Sequence, residues 1–156
     1  MATKFESNIM IDSEASLQRF CSRLAPLLTP NITIGLSGPM GAGKTTFVRH
    51  LTASIGSTDW VNSPTYSLIQ HYEGPKFSIF HVDLYRCNSD YEIDQLDLPA
   101  LILDGSVLII EWIDRSTSIL PTLSITFETI DQNRRMLRLS SNDLDWVSNL
   151  DDANAQ

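Results

Sequence analysis

The spacing of apolar residues predicts an alternation of helices and short strands. Over residues 14–28 the apolar positions recur every three to four residues, which is typical of an amphipathic helix, and Ser13 is suited to cap its N-terminus. Residues 32–37 form a short apolar run bounded by turn residues and predict a buried strand. A second helix is expected over residues 44–55, with Gly56 as its C-terminal stop.

The second half of the chain carries shorter apolar runs joined by turns. Residues 66–72 and 77–82 predict a hairpin, 106–112 a buried strand that ends in an acid, and 123–128 with 136–140 a final hairpin. The segment 91–103 is expected to be helical in parts and interrupted by Pro99. Short turns favour antiparallel pairing, whereas strand–helix units favour parallel pairing. We therefore predict an α/β fold with a mixed parallel and antiparallel sheet flanked by helices.

Composition fits one globular domain. The chain has 156 residues, of which 42% are apolar and 19% charged, so a substantial core is expected and general disorder is not. We expect a single domain over residues 1–156, with a polar tail that frays from about residue 148. No apolar run approaches about 18 residues and residues 1–10 lack a signal-like apolar region, so a cytoplasmic protein without membrane attachment is expected.

The cysteines and the net charge disfavour two kinds of protein, those with a structural zinc site and those that bind nucleic acid tightly by themselves. Cys21 lies on the apolar stripe of the first helix and is expected to be a buried free thiol, and no cluster with the spacing of zinc ligands occurs. The net charge of −8 disfavours tight, autonomous binding to nucleic acid. Residues 83–104 contain six acids and one base, a net charge of −5, and form either a solvated acidic face or a docking surface for a basic partner.

A glycine-rich turn between the first strand and the second helix carries the clearest chemical signal. Residues 38–45, Gly-Pro-Met-Gly-Ala-Gly-Lys-Thr, fit the phosphate-binding pattern G-x-x-x-x-G-K-[ST] at every fixed position. Such a loop directs backbone N–H groups and the positive end of the helix at phosphate oxygens. The residues predicted to bind nucleotide are Gly38, Met40, Gly41, Ala42, Gly43, Lys44, Thr45 and Thr46.

Within this P-loop the side chains have separate expected roles. Lys44 is placed to reach the β- and γ-phosphates, and the Thr45 hydroxyl is a candidate Mg²⁺ ligand. Thr46 either touches the α-phosphate or only occupies the first helical turn. The fold is therefore expected to be a P-loop NTPase-like domain.

Two acids at strand ends are candidates for handling Mg²⁺ and water. Glu111 ends a strongly apolar strand, where it would emerge at the edge of the sheet and could bind metal. Asp83 ends another predicted strand and could contact the metal indirectly or orient the attacking water. Alternatively, either acid could cap the following turn.

Four other residues in these segments do not have a single predicted role. Thr65 lies some twenty residues after the P-loop and could sense the γ-phosphate as switch loops do, or simply form a turn. His81 could face the site, although a satisfied structural histidine is expected. Trp112 could lie in the core, which is the favoured position, or beside the nucleotide. Arg86 could pair with an acid or reach phosphate.

The ordered motifs resemble those of the TsaE family, P-loop ATPases of bacterial tRNA threonylcarbamoyladenosine biosynthesis. The resemblance covers nearly the whole chain and rests on the P-loop, Ser63-Pro64-Thr65-Tyr66, His81-Val82-Asp83-Leu84-Tyr85-Arg86 and Glu111-Trp112. One departure is Ile113, where the family often has Pro after Glu-Trp, which implies a small change in loop shape. A second is Pro39-Met40, where the family commonly has Asp-Leu.

This resemblance implies a function and roles for several residues. It implies ATP binding with ADP as product, Mg²⁺ held by Thr45 and Glu111, a switch-like role for Thr65, and support of hydrolysis by Asp83. It also implies TsaD-like and TsaB-like partners in a complex that hydrolysis resets between rounds of tRNA modification. The acidic charge implies that tRNA is contacted only through those partners.

Two other functions remain open on the sequence. A small-molecule kinase would need a phosphoryl-acceptor pocket and arginines on a lid, but residues 85–103 offer only Arg86 among many acids. A nucleotide-gated binding module would bind ATP to order the loop around Thr65, without physiological turnover. A GTPase is disfavoured because the sequence has no [NT]-K-x-D element.

Overall fold

A mixed sheet forms the centre of the molecule. A computed structural model describes residues 4–150 except 65, 104, 144 and 147. Within this part of the chain seven strands pair in the order β1-β7-β6-β2-β5-β4-β3. Their bounds are β1 (Phe5–Ile11), β2 (Thr33–Ser37), β3 (Ile69–Tyr72), β4 (Ile79–Asp83), β5 (Val107–Glu111), β6 (Leu123–Thr129) and β7 (Arg135–Ser141).

The centre of this sheet is parallel and its edges are antiparallel. Strands β6, β2, β5 and β4 run parallel to one another. Strand β3 pairs antiparallel with β4 at one edge, and the antiparallel pair β1–β7 extends the sheet beyond β6 at the other. The predicted α/β fold with a mixed sheet is confirmed, including both predicted hairpins.

Helices cover the two faces of the sheet. They are α1 (Glu14–Leu24), α2 (Lys44–Ser54), α3 (Asp90–Asp94) and α4 (Leu98–Ile102), and two short 3-10 helices span Ala25–Leu27 and Ile113–Arg115. The first helix is shorter than predicted because Pro26 has no N–H to continue the α-helical ladder. Among the described residues, every helix is too short to cross a bilayer.

Strand alternation sorts the side chains between these faces. On β5, Ile109 belongs to the core shared with α1 and α2, whereas Ile110 packs on the opposite face with Ile93 and Leu98. Successive strand residues point to opposite faces. The same parity places three polar residues on the α2 side, namely His81, Asp83 and Glu111.

Two further parts of the structure differ from the sequence-based expectations. Strand β1 was not predicted, although its exposed and buried residues alternate. Strand β3 begins at Ile69 rather than at residue 66, after Leu68 in a left-handed conformation with φ of 66°. Leu150 is fully buried, and residues 151–156 of the tail that is expected to fray lie outside the described part.

Both cysteine side chains are buried free thiols, as was predicted for Cys21. Burial raises the pKa of the Cys21 thiol and, less strongly, that of Cys87. Because thiolate is the reactive form, both residues are packing groups rather than nucleophiles.

The N-terminus of α1 carries the capping residue that the sequence predicts. The Ser13 hydroxyl accepts a hydrogen bond from the Ser16 backbone N–H at 3.1 Å, and the Ser16 hydroxyl accepts one from the Ser13 N–H at 3.1 Å. These two bonds satisfy backbone donors that the helix itself leaves without partners.

Removing this cap should destabilise the fold measurably. We expect Ser13→Ala to lower the free energy of unfolding by about 1 kcal/mol in urea denaturation, because it removes the acceptor for the Ser16 N–H. Ser22→Ala is the matched control: its hydroxyl only donates to the Gln18 carbonyl within the helix, so a change within about 0.5 kcal/mol is expected. Equal effects of the two substitutions would contradict this role for Ser13.

Candidate functional site

A cleft lies at the carboxyl edge of the parallel strands, where the P-loop joins β2 to α2. It has a volume of about 360 Å³. Its lining consists of Met40, Gly41, Gly43, Lys44, Thr45, Thr46, Ser63, Asp83, Tyr85, Glu111 and Trp112. The fold therefore brings the P-loop and both candidate acids to one place, as expected for ligands of an open α/β sheet.

The P-loop backbone requires its glycines. Gly38 has a φ of +136°, and a Cβ there would lie 2.6 Å from the Phe127 carbonyl oxygen. Gly43, the N-cap of α2, has a φ of +107°. A side chain at either position would be strained, so the loop holds a shape that other residues rarely adopt. Of the remaining predicted loop residues, Ala42 is buried and does not line the cleft.

The Lys44 ammonium lies inside the curve of this loop. It donates hydrogen bonds to the carbonyl oxygens of Gly38 at 2.6 Å and Pro39 at 2.8 Å, and it lies 4.3 Å from the centroid of the Trp112 ring. Burial lowers the pKa of Lys44, while the nearby carboxylates, first of all Glu111, oppose this shift. The site thus holds a positive charge at the position where a P-loop binds the β- and γ-phosphates.

The two candidate metal ligands touch each other. The Thr45 hydroxyl lies 3.1 Å from both Glu111 carboxylate oxygens and donates to them. Glu111 is only 3% exposed. Both residues supply oxygen atoms, the ligands that Mg²⁺ prefers. The structure therefore places the two candidate ligands in direct contact at the base of the P-loop.

The donor set fits a magnesium ion shared with nucleotide phosphates. Over the described residues, no group of three or more His, Cys, Asp or Glu side chains is arranged to hold a metal by itself. Mg²⁺ is usually held by one or two protein oxygens together with substrate phosphates and water rather than by a complete protein cage. Thr45 and Glu111 at the phosphate loop correspond to that arrangement.

Asp83 is placed beside this pair on the neighbouring strand. It is opposite Glu111 in the parallel register and 3% exposed. One of its oxygens accepts a hydrogen bond from the Tyr85 N–H at 2.8 Å, so it fixes the turn after β4. Asp83 therefore has the turn-capping contact expected of a structural acid and also lines the cleft.

His81 contacts the candidate metal ligand directly. Its Nε2 lies 2.6 Å from Glu111 Oε2, and its ring is fully buried. The sequence favoured a structural histidine, and the side chain is indeed satisfied on both ring nitrogens. The structure adds that one of its two partners is the carboxylate of the site.

Trp112 packs against the core, as expected, and it also lines the candidate cleft. Trp112 is half-buried, lines the cleft and has a left-handed backbone with φ of 60°. A bulky residue rarely adopts this conformation, and such outliers concentrate at functional sites. Its ring also lies 5.0 Å from the Tyr85 ring. Tyr85 and Ser63 also line the cleft. The sequence did not predict this, although both residues belong to the motifs that carry the family resemblance.

The structure describes most residues of the loop before β3 and of the acidic stretch 83–104, but it leaves out residues 65 and 104. Thr65 lies outside the described residues, whereas Ser63 lines the cleft. The Arg86 guanidinium lies 4.9 Å from the centroid of the Tyr66 ring. Within the stretch 83–104, Asp83 is buried, whereas Glu92, Asp94 and Asp97 are exposed.

Comparisons with known proteins identify the family of the chain. A family model described as "Threonylcarbamoyl adenosine biosynthesis protein TsaE" matches residues 11–137. The chain is 33% identical over 138 residues to the tRNA threonylcarbamoyladenosine biosynthesis protein TsaE of Rickettsia bellii, covering 86% of this chain and 95% of that one. It is also 33% identical to the protein of the same name from Aquifex aeolicus, covering 84% of this chain and 93% of the other.

A solved structure has the same fold. The crystal structure of YdiB from Bacillus subtilis superposes with a TM-score of 0.76 at 19% identity, covering 98% of this chain and 97% of that one. At that identity the likeness concerns the fold alone. Since the family model spans most of the sequence and the named relatives align over nearly their full length, the chain belongs to the TsaE family.

Proposed function

We propose that this chain is an ATP-binding, Mg²⁺-dependent ATPase subunit required for tRNA threonylcarbamoyladenosine modification. The observation that carries the proposal is the contact between Thr45 and Glu111 at the base of an intact P-loop. Membership in a family named for this biosynthesis supports the pathway. The lysine, the hydroxyl and the carboxylate are the parts that P-loop enzymes use on a triphosphate.

Each residue has a defined role in this proposal. The amides of the first turn of α2 and Lys44 bind the phosphates, because those amides have no acceptors within the helix. Thr45 and Glu111 hold Mg²⁺, which when bound neutralises charge on the phosphate oxygens. Asp83, next to Glu111 at the strand ends, supports hydrolysis, and Thr65 acts as a switch residue. The Trp112 and Tyr85 rings form the wall of the cleft.

The proposed cycle takes place in a complex with TsaD-like and TsaB-like partners. ATP hydrolysis to ADP resets that complex between rounds of modification. With a net charge of −8, this chain would repel the tRNA backbone, so the tRNA is bound by the partners. This arrangement separates the nucleotide cycle from the chemistry on tRNA.

Loss of the P-loop ammonium should weaken nucleotide binding. We expect Lys44→Ala to raise the Kd for ATP about 10- to 100-fold, which corresponds to losing a charged hydrogen bond of about 1.5–3 kcal/mol. Isothermal titration calorimetry measures this change. Lys76→Ala removes the same side chain from an exposed position outside the cleft and should leave the Kd unchanged. Equal affinities of both variants would contradict the role of Lys44.

Loss of the Glu111 charge should act mainly through Mg²⁺. We expect Glu111→Gln to raise at least about tenfold the Mg²⁺ concentration that half-saturates the nucleotide complex, because one charged oxygen ligand is lost. Binding of ATP without Mg²⁺ should change little. Asp83→Asn is the comparison, and a Mg²⁺ response lost in Asp83→Asn but intact in Glu111→Gln would make Asp83 the ligand.

The partners should stimulate hydrolysis. We expect the isolated chain to release phosphate from ATP slowly, and the rate to rise when the TsaD-like and TsaB-like proteins are added together. Lys44→Ala in the same mixture should abolish the increase. Phosphoryl transfer to a metabolite without stimulation would favour a kinase. ATP-dependent assembly without turnover would favour a nucleotide-gated binding module.

A further inference from the structure

A row of buried polar side chains crosses three neighbouring strands beneath the P-loop. Tyr72 of β3, His81 of β4 and Glu111 of β5 are at most 3% exposed. The Tyr72 hydroxyl lies 3.0 Å from His81 Nδ1, and His81 Nε2 lies 2.6 Å from Glu111 Oε2. At its far end the Glu111 carboxylate accepts from Thr45. The row therefore ends on the proposed Mg²⁺ ligands.

The chemistry of these groups sets the direction of the hydrogen bonds. A carboxylate only accepts, so His81 Nε2 carries a proton and donates it to Glu111. Burial raises the pKa of Tyr72 to about 12, so its hydroxyl keeps its proton at neutral pH. That hydroxyl also lies 3.2 Å from the backbone carbonyl oxygen of Asn62. The hydroxyl donates to that carbonyl oxygen, and its oxygen lies within hydrogen-bond distance of His81 Nδ1.

The row connects two parts of the cleft. Asn62 belongs to the segment 57–64, which follows α2 and includes Ser63, a lining residue of the cleft. At the other end of the row, Glu111 accepts a hydrogen bond from Thr45. One continuous series of contacts thus joins the backbone of this segment to the carboxylate.

A purely structural explanation of the row is incomplete. Neighbouring positions on the same face, such as Ile79 and Ile109, are apolar and belong to the core. Three well-packed apolar residues would avoid the desolvation of a carboxylate and an imidazole, which often exceeds what a buried polar pair returns. A histidine between a carboxylate and a hydroxyl does, however, fix the orientation of that carboxylate, as outer partners of metal ligands do.

We propose that His81 and Tyr72 are positioning residues for the metal carboxylate. His81 holds Glu111 in the orientation that meets Thr45, and Tyr72 holds the His81 ring and links it to the segment 57–64. This inference rests on the proposed Mg²⁺-dependent nucleotide binding. Neither residue lines the cleft, so both act through Glu111 rather than on the nucleotide.

Conservative variants separate positioning from packing. Gln has an amide nitrogen that reaches about as far as His Nε2, whereas Asn reaches only about as far as Nδ1. His81→Gln therefore retains a donor toward Glu111, and His81→Asn does not. Tyr72→Phe removes only the hydroxyl. His71→Asn, on the exposed side of β3, and Tyr91→Phe, on the exposed side of α3, are matched controls.

Mg²⁺ titrations of nucleotide binding, followed by calorimetry, test the first half of the proposal. We expect His81→Asn to raise the half-saturating Mg²⁺ concentration about 10- to 100-fold, while the affinity for ATP without Mg²⁺ stays within about twofold. His81→Gln should recover most of the loss. Tyr72→Phe should give a smaller shift, about three- to tenfold, because Glu111 keeps its direct donor. Both controls should match the wild type.

Hydrogen exchange of the nucleotide-free protein tests the second half. Tyr72→Phe removes the donor to the Asn62 carbonyl, so the amides of residues 57–63 should exchange faster than in the wild type. The effect should be absent in Tyr91→Phe. Urea denaturation of every variant gives the accompanying change in stability, and Tyr72→Phe keeps the proposal testable if His81→Asn does not fold.

The outcomes distinguish this inference from the function on which it rests. If Glu111→Gln loses the Mg²⁺ response and neither His81→Asn nor Tyr72→Phe shifts it, the positioning role is wrong and the proposed function stands. If Glu111→Gln itself keeps the wild-type Mg²⁺ response, both the positioning role and the proposed function are wrong. Lower stability of the His81 variants with an unchanged Mg²⁺ response would assign the row to packing alone, and unchanged exchange in Tyr72→Phe would refute the link to residues 57–64.

Discussion

The buried carboxylate of Glu111 is the constraint on which the site depends. A charge that is 3% exposed costs several kcal/mol unless donors surround it. Those donors come from two other elements, Thr45 on α2 and His81 on β4. The carboxylate therefore fixes how the P-loop helix sits against the sheet. Displacement of either donor would leave the charge uncompensated, so the arrangement is specific as well as stable.

The mixed sheet explains why these donors meet. Parallel strands bring the ends of β2, β4 and β5 to one edge, and strand parity turns His81 and Glu111 toward the same helix. The antiparallel partner β3 then delivers Tyr72 to the same layer. The parallel centre of the sheet thus brings His81 and Glu111 together, and the antiparallel edge strand places Tyr72 beside them.

Local signals were predictable from the sequence, and long-range ones were not. The P-loop, the Ser13 cap and the hairpins depend on neighbouring residues, so their patterns are visible in a single chain. Strand β1 was missed because its alternation is short and irregular, with polar Ser7 at a half-buried position and apolar Met10 at an exposed one, and only its pairing with β7 makes it a strand. The contact of Tyr72 with His81 and the left-handed backbone of Trp112 depend on tertiary packing, which no spacing of residues indicates. Thr65 stays a prediction.

The pairing of β1 with β7 has a kinetic consequence. Phe5 of the first strand is opposite Ser141 of the last, so the outermost pair of the sheet closes nearly the longest loop that the described chain allows. Contacts so distant in sequence slow folding, because loop-closure entropy is lost before the pairing contributes. During synthesis β1 has no partner strand until β7 has been made, and by then the P-loop and its helix already exist. The nucleotide site can therefore assemble before the sheet is complete.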